Sequence, residues 1–292
     1  GVCLAGTGAI AERLRLFQVQ GTALVVCGAP IAGQSGQFGL YDEAVSRIDD
    51  VSILQCINGI DCNAGDARIS RVSISQVAKD GLVVSGPGTY VSDAHVWGAD
   101  RSVVFGCEVH ASAIYAEAAR IGCHLLPSAY GTTITGLNIG PATCWSRGVL
   151  VAAHNVQISR LVGRVRGKGA VGYEQAATTN EAQTSGRIDA ADGATAFVVS
   201  GNRHTLHVAS DLVGGATAAK VVGELVGCRI ELVGWGDVGN VALDLSEAKL
   251  GVGNAIEVRF SGGATRVIYP GGGSKYNLPL GNQLTVDGVV QQ

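Results

Sequence analysis

The sequence has no methionine, only six prolines, and aromatic residues at 5%. Charge is scarce as well: Asp, Glu, Lys and Arg make up 15%, with a net charge of −3. Each shortage excludes something. So little proline rules out collagen and proline-rich linkers. A balance this close to neutral, with no basic run, leaves no electrostatic footprint for nucleic acid and no pull toward an anionic membrane surface. No apolar stretch approaches the ~18 residues of a membrane span, so no membrane insertion is expected. The opening GVCLAGTGAIAERLRLFQVQG lacks the charged start and long apolar middle of a secretory signal. Methionine is missing even at position 1, which points to a chain that was once longer or lost its initiator. The shortage of aromatics tempers any expectation of tight sugar binding, which favours exposed rings.

What is abundant is glycine, 43 of 292 residues, about twice the usual ~7%. Much glycine and valine with little Lys, Glu and Leu favours short strands and tight turns over helices. A chain of 292 residues buries enough core to need no disulfide. Eight cysteines are present. Cys107, Cys123 and Cys228 lie in strand-like runs (FGCEVH, RIGCHLL, VGCRIELVG) and read as small buried apolar residues. Cys56 and Cys62 in CINGIDC are close enough for a loop disulfide or half a metal site, but paired CxxC elements are missing and no metal is expected. Many free thiols suit folding in a reducing cytoplasm.

The strongest signal is a repeat. Short apolar runs recur at Leu82, Val103, Leu125, Val149, Val171, Phe197, Val221, Leu243 and Ile268, which spreads 186 residues over eight intervals, a mean near 23. A second ladder is interleaved: VSIS (72–75), AHVWG (94–98), IYAEA (114–118), LNIG (137–140), VQIS (156–159), then GRIDA, TLHVA, RIELVG and IEVRF. The apolar spacing is two, as in strands. Helical repeats need longer units, and the leucine-rich signature LxxLxLxxN is absent. Coils of roughly 22–24 residues, each with two or three strands stacked at ~4.8 Å, make a parallel β-helix, an all-β solenoid. Within ISRVSISQVAKDGLVVSGPG (69–88), Val72, Ile74, Leu82 and Val84 then belong to apolar ladders, and Gly81 and Gly86-Pro87-Gly88 mark corners.

On this rung spacing, and on fragments such as V-x-I, DGLVVSG and LVVCGAP, the chain resembles the right-handed pectate-lyase-like β-helix family, which includes bacteriophage tailspike and appendage proteins. The resemblance covers roughly residues 50–270 and is architectural. It implies an N-terminal capping or attachment segment (1–50), the helix proper (51–270) and a C-terminal cap or intersubunit strand (271–292). AIAERLRLFQVQG (9–21) reads as either helix or strand. LYDEAVSRIDD (40–50) reads as a short helix with Ala44, Val45 and Ile48 facing in, and Leu284–Val290 as one strand.

The motifs of the plant-cell-wall enzymes of that family are missing. The ordered polygalacturonase set Asn-Thr-Asp, Asp-Asp, Gly-His-Gly and Arg-Ile-Lys is not there: Asp49-Asp50 stands before the expected first coil, and no Gly-His-Gly follows. The pectate-lyase element Arg-x-Pro-x-x-Arg is also absent. No GxSxG and no strand–loop–helix phosphate motif is present, so no cofactor is expected.

Glycoside hydrolysis needs two carboxyl groups, ~5–5.5 Å apart for retention or ~6.5–9.5 Å for inversion. Outward acids one period apart meet that need in two places. Glu231 and Glu257 alternate with inward Ile230, Leu232, Ile256 and Val258, with Arg229 and Arg259 near; a solvated polar stripe is the plainer account. VSDAHVWG and FGCEVHAS would bring Asp93, His95 and Trp97 beside Glu108 and His110, an apolar ring with polar partners, as a sugar groove requires; surface histidines satisfied by backbone are the plainer account there.

Three functions fit. The first is a phage virion tailspike, fibre or appendage, a homotrimer that assembles in the host cytoplasm, joins other virion proteins through its N-terminal segment, and outside the cell binds bacterial surface polysaccharide, with or without cleaving it. The second is a secreted monomeric polysaccharide lyase or glycoside hydrolase. The third is a bacterial surface adhesin, a class that avoids cysteine.

Overall fold

A computed structural model describes residues 1–5, 8–27, 46–117, 119–140, 146–270 and 278–291. Successive strands alternate between two sheets, so each turn of chain adds one strand to each. A 12-stranded sheet runs from Val2–Ala5 through Thr22–Cys27, Asn58–Cys62 and Asp80–Val84 to Thr265–Ile268. A 14-stranded sheet runs from Ile10–Glu12 through Arg47–Leu54, Arg68–Ser75 and Thr89–Trp97 to Gln283–Val286 and Val289–Gln291. Each strand lies parallel to its counterpart one coil earlier and later, up to a final antiparallel pair. The result is a right-handed parallel β-solenoid of about 10 coils of roughly 24 residues. Among the described residues there is no α-helix, and none long and apolar enough to cross a membrane.

Alternation of apolar and polar residues sets which side chains enter the tube. In the second sheet Ile48, Ile69, Val91, Ala111, Ile134 and Ile158 stack in register, and Leu206, Ile230, Ile256 and Leu284 continue the column. Nearly all are fully buried, and each large aliphatic side chain there contributes about 1.5–3 kcal/mol. The short strands follow another pattern: Asn58–Cys62, Asp80–Val84 and Arg147–Val151 each bury two consecutive residues, then alternate. The first of the two is small (Gly59, Gly81, Ser102, Gly122, Gly148, Gly172, then Ala196, Ala218 and Ala242) because the opposite sheet comes close. A Cβ on Gly81 would lie 2.2 Å from Val96 Cγ1 and 2.6 Å from the Ser102 carbonyl oxygen.

The repeat read from sequence is therefore real, with local slips of phase. Leu82, Val103, Val149, Phe197 and Leu243 share one inward column with Cys123, Tyr173, Ala219 and Val267. Leu125 and Val221 belong to the neighbouring inward column, while Val171 and Ile268 stand on outward columns.

The long strands bend. At one position per coil the backbone turns left-handed: Arg13, Asp50, Arg71, Asp93, Ala113, Gly136 and Arg160, with φ 51–56° for all but the glycine. Such a conformation costs a non-glycine residue of the order of 1 kcal/mol. The bend divides the sheet into two outer faces. It stops after Arg160, where the register shifts between Ile158 and Leu161. Strands Thr205–Val213 and Arg229–Gly236 carry no positive-φ residue. The opposite sheet lengthens in compensation, to Thr217–Val226 and Val241–Leu250, and acquires register shifts.

Corners are held by side chains as well as backbone. Gln18, Gln55 and Gln76, all left-handed, form an amide ladder with steps of 3.3 and 3.1 Å. A buried ladder closes another corner. The Ala182 amide donates to His204 Nδ1 at 3.2 Å, the His204 amide to Cys228 Sγ at 3.3 Å, the Cys228 amide to Asn254 Oδ1 at 3.0 Å, and the Asn254 amide to Asn282 Oδ1 at 2.9 Å. Buried backbone N–H groups need such partners.

The ends correct the sequence reading. Of the two readings for residues 9–21 the strand holds, as Ile10–Glu12 and Arg15–Phe17. The helix expected over 40–50 is strand from Arg47 onward, because Ile48 and Asp49 enter the same ladders as every later coil; Ile48 does face in, and Ala44 and Val45 lie outside the described residues. The expected single strand Leu284–Val290 is a hairpin, folded back at Asp287-Gly288, where φ is positive at both residues. Cys56 and Cys62 are separate buried thiols rather than a disulfide; Cys144 lies outside the described residues.

Burial pushes the Cys123 thiol up to about 12 and those of Cys62 and Cys107 to about 11. Mass-mapped alkylation of the native protein should therefore modify exposed Cys3 readily and leave Cys56, Cys62, Cys107, Cys123 and Cys228 intact until denaturant is added. His204 generates a second expectation. Its Nδ1 accepts from Ala182 and its Nε2 donates to the Ser200 carbonyl at 2.8 Å, so it is neutral, and burial holds its pKa below the ordinary 6.5. The unfolded chain takes up that proton first. The stability His204 contributes is thus complete above pH ~6.5 and is lost as pH falls from there through the depressed folded value. His204→Asn, which keeps an acceptor as Asn254 does, should flatten the fall in Tm between pH 7 and pH 5 while leaving Tm at pH 8 nearly unchanged.

Candidate functional site

The first outer face of the 14-stranded sheet carries two outward columns. One reads Arg68, Tyr90, His110, Thr133, Gln157, Gln183, Thr205, Arg229 from coil to coil. The other reads Ser70, Ser92, Ser112, Thr135, Ser159, Ser185, His207, Glu231, Glu257. In mid-length these columns form a depression of about 250 Å³, lined by Thr133, Thr135, Gln157, Ser159, Gln183, Ser185, Thr205 and His207. Every polar group there is a hydroxyl, an amide or an imidazole. Ser159 Oγ donates to Thr135 Oγ1 at 3.3 Å, so the hydroxyls of neighbouring coils are within reach of one another. The left-handed corner residues Gly131, Asn155, Glu181 and Arg203 each stand two residues before a trough residue, with Glu181 and Arg203 paired at 2.9 Å.

Each end of the trough has its own chemistry. At the N-terminal end the rings of Tyr90 and His110 lie 5.1 Å apart, tilted by 34°. His110 Nδ1 meets Thr133 Oγ1 at 2.8 Å, and its Nε2 is 3.6 Å from Glu108 Oε1. Tyr90 is 55% exposed, so an aromatic surface is open to a ligand there. At the C-terminal end a second depression of about 280 Å³ is lined by Arg229, Glu231, Glu257, Gln283 and Thr285. Glu231 and Glu257 are direct neighbours in register. Arg259 bridges them, at 2.8 Å to each, and His207 Nδ1 reaches Glu231 at 2.9 Å. The hydrogen bond and charge of Glu257 hold the Arg259 guanidinium more firmly protonated than usual.

Glu108, His110, Arg229, Glu231, Glu257 and Arg259 therefore stand in or beside one trough. Asp93, His95 and Trp97 do not join Glu108 and His110, which corrects the grouping expected from sequence. Asp93 is itself the bend residue, and the bend turns His95 and Trp97 onto the second outer face. There His95 packs edge-on against Tyr115 at 5.0 Å and faces Glu117 at 4.0 Å, while Trp97 neighbours Glu117 in register. A hydrogen bond to Glu117 raises the Tyr115 phenol. Asp49, expected before the first coil, lies in the ladder: Ser70 donates to it at 2.6 Å, Arg47 and Arg71 pair with it, and together they hold its carboxyl below the ordinary range.

The hydroxyl and amide residues at the centre of the trough escaped the sequence reading. Polar residues on the wet side of a strand form no motif. Their signal was available only as the residues that alternate with the Ile134, Ile158 and Leu206 column.

No family model and no curated protein matches this chain. Among solved structures it is similar to two double mutants of the tailspike protein of the Escherichia coli bacteriophage HK620. One, in complex with a pentasaccharide, has a TM-score of 0.51 and 11% identity over 98% of this chain and 70% of that one. The other also has a TM-score of 0.51 and 11% identity, over 97% of this chain and 67% of that one. In both, an aspartate and a glutamate have been replaced. The chain has a tailspike-like parallel β-helix fold.

Proposed function

We propose that the protein is a tailspike-, fibre- or appendage-type component of a phage virion that binds a bacterial surface polysaccharide along the trough. The observation that carries this reading is the unbroken run of hydroxyl and amide side chains from Thr133 to His207, with the Tyr90–His110 rings at one end. Sugar hydroxyls need closely spaced donors and acceptors plus a ring face on which to stack. Coils ~4.8 Å apart offer such groups at about the spacing of successive sugar units. The fold likeness to a tailspike solved with a pentasaccharide supports the same class of ligand. In this reading the protein is a homotrimer, residues 1–50 join it to other virion proteins, and it acts outside the cell after assembly in the host cytoplasm.

Glu231 and Glu257 favour a second reading, in which the bound chain is also cleaved, because they place two carboxyl groups on adjacent coils. Against it stands Arg259. A hydrolase pair must present both carboxyl groups to the glycosidic bond, and here one guanidinium is hydrogen-bonded to both, at 2.8 Å each. Binding without hydrolysis is the better-supported function.

Ser159→Trp fills the trough. It should weaken binding of host capsule or lipopolysaccharide about tenfold or more, with Tm unchanged, while Thr195→Trp on the opposite sheet leaves binding intact. Equal binding by both variants removes the trough from the function. In reducing-end and unsaturated-product assays, no product should form over hours; product that disappears in Glu231→Gln would establish cleavage at this pair. An SDS-resistant, heat-sensitive trimer is expected on unheated gels, and a clean monomer in solution would count against the virion reading.

A further inference from the structure

The charges around the trough are distributed unevenly. From Ala118 to Tyr173 the sequence has six Arg and Lys residues and no Asp or Glu. This stretch supplies the strands Thr133–Ile139 and Gln157–Arg166, which carry Thr133, Thr135, Gln157 and Ser159 of the trough. Three of its cations have carboxylate partners on other coils: Arg120 with Asp100, Arg147 with Glu174, and Arg166 with Asp192. Among the described residues Arg160, Arg164 and Lys168 have none.

Arg160 is the one at the trough. It follows Ser159 directly, and its φ of 56° makes it the last residue of the bend column. Its counterpart on the preceding coil is Gly136, while on the next coil Gly186 stands in register with Leu161. The exposed side chain thus stands next to Ser159, with a glycine at the equivalent position of the preceding coil. No acid occupies the strand Thr133–Ile139, and none lies between Gln183 and Arg187 on the other side. Several exposed arginines are matched, Arg15 by Asp50, Arg203 by Glu181 and Arg259 by Glu231 and Glu257, while Arg13 and Arg68 pair with no carboxylate among the described residues. Arg229, in the outward column of Thr133 and Gln157, is also exposed and without a carboxylate partner among the described residues.

We propose that the trough selects an acidic polysaccharide, one whose sugars carry carboxylates, and that Arg160 is the residue that recognises the carboxylate. This rests on the trough being the glycan site. The chemistry is direct: a planar guanidinium donates two parallel hydrogen bonds to a carboxylate. The surrounding Thr, Ser and Gln side chains bond the uncharged hydroxyls, and no carboxylate among the described residues pairs with Arg160, which leaves the cation to the ligand. Arg160 is a binding residue and takes no part in bond cleavage.

The test is equilibrium binding of the full chain to polysialic acid and polygalacturonate, to dextran and amylose, and to a single-stranded oligonucleotide. Wild type, Arg160→Gln, Ser159→Trp and the distant Lys249→Gln are compared, with thermal melts as the check on folding. At least one acidic glycan should bind about tenfold or more tightly than either neutral one. That preference should shrink as salt is raised. Arg160→Gln should remove it without changing neutral binding, and Lys249→Gln should have no effect. Neutral glycans that bind as tightly as acidic ones, and are blocked by Ser159→Trp, overturn the acidic selectivity and leave the trough as the glycan site. Glycan binding untouched by Ser159→Trp overturns the trough itself. Binding of the oligonucleotide as tightly as the acidic glycan, with the same dependence on Arg160, assigns the site to nucleic acid and overturns the proposal, as does no binding by any probe.

Discussion

Everything in this protein depends on each coil lying in register on the last. Parallel pairing joins residue to equivalent residue, so a side chain on one strand meets the same position of the next coil above and below. Inside the tube this makes columns such as Ile48–Ile69–Val91. At the corners it makes the Gln18–Gln55–Gln76 ladder and the His204–Cys228–Asn254–Asn282 ladder, in which one coil satisfies the buried amides of another. Outside it makes the trough. A slip of one residue would move every inward column to the wet face, and would scatter the outward hydroxyls as surely as the core.

The second constraint is the bend. Seven coils accept a left-handed residue in mid-strand, six of them at non-glycine positions. The narrow approach at Gly59, Gly81 and Gly148 belongs to the same cross-section, since a side chain there would strike Ile74, Val96 or Ile139 of the opposite sheet. Beyond Arg160 the bend disappears and the opposite strands lengthen. The central trough spans this change of cross-section, with Thr135 and Ser159 on the bent side and Ser185 and His207 on the straight side. A shift in backbone geometry beneath a continuous outward column accounts for a depression at that point.

The sequence made the tube legible and left most of the trough hidden, for physical reasons. Period-two apolar residues such as Val72 and Ile74 are constrained by burial, so they recur and can be counted. The outward residues between them face solvent, so packing does not fix their identity. Glu231 and Glu257 were found because acids invite a search for pairs, whereas Thr133, Gln157 and Gln183 invite none. His95 and Trp97 were placed beside His110 because alternation alone cannot reveal the left-handed turn at Asp93. Within the expected helix over 40–50, the described part from Arg47 is strand for a related reason: Ile48 does turn inward, but the ladder of strands below and above it outweighs local propensity.

Arg259 also shows why acids in the right place do not by themselves make a hydrolase. The fold brings Glu231 and Glu257 together simply because they occupy the same position on adjacent coils, as Asp49 is brought to Ser70 and Gln55 to Gln76. Coil stacking generates close like pairs wherever a polar residue recurs. Two neighbouring carboxylates repel, and chemistry would exploit that repulsion by leaving one of them protonated. Here a guanidinium bonded to both, with His207 on Glu231, offsets the repulsion instead. An ion-paired cluster of this kind makes a polar wall at the end of the trough. It also sharpens the contrast with Arg160, an exposed cation next to Ser159 that pairs with no carboxylate among the described residues.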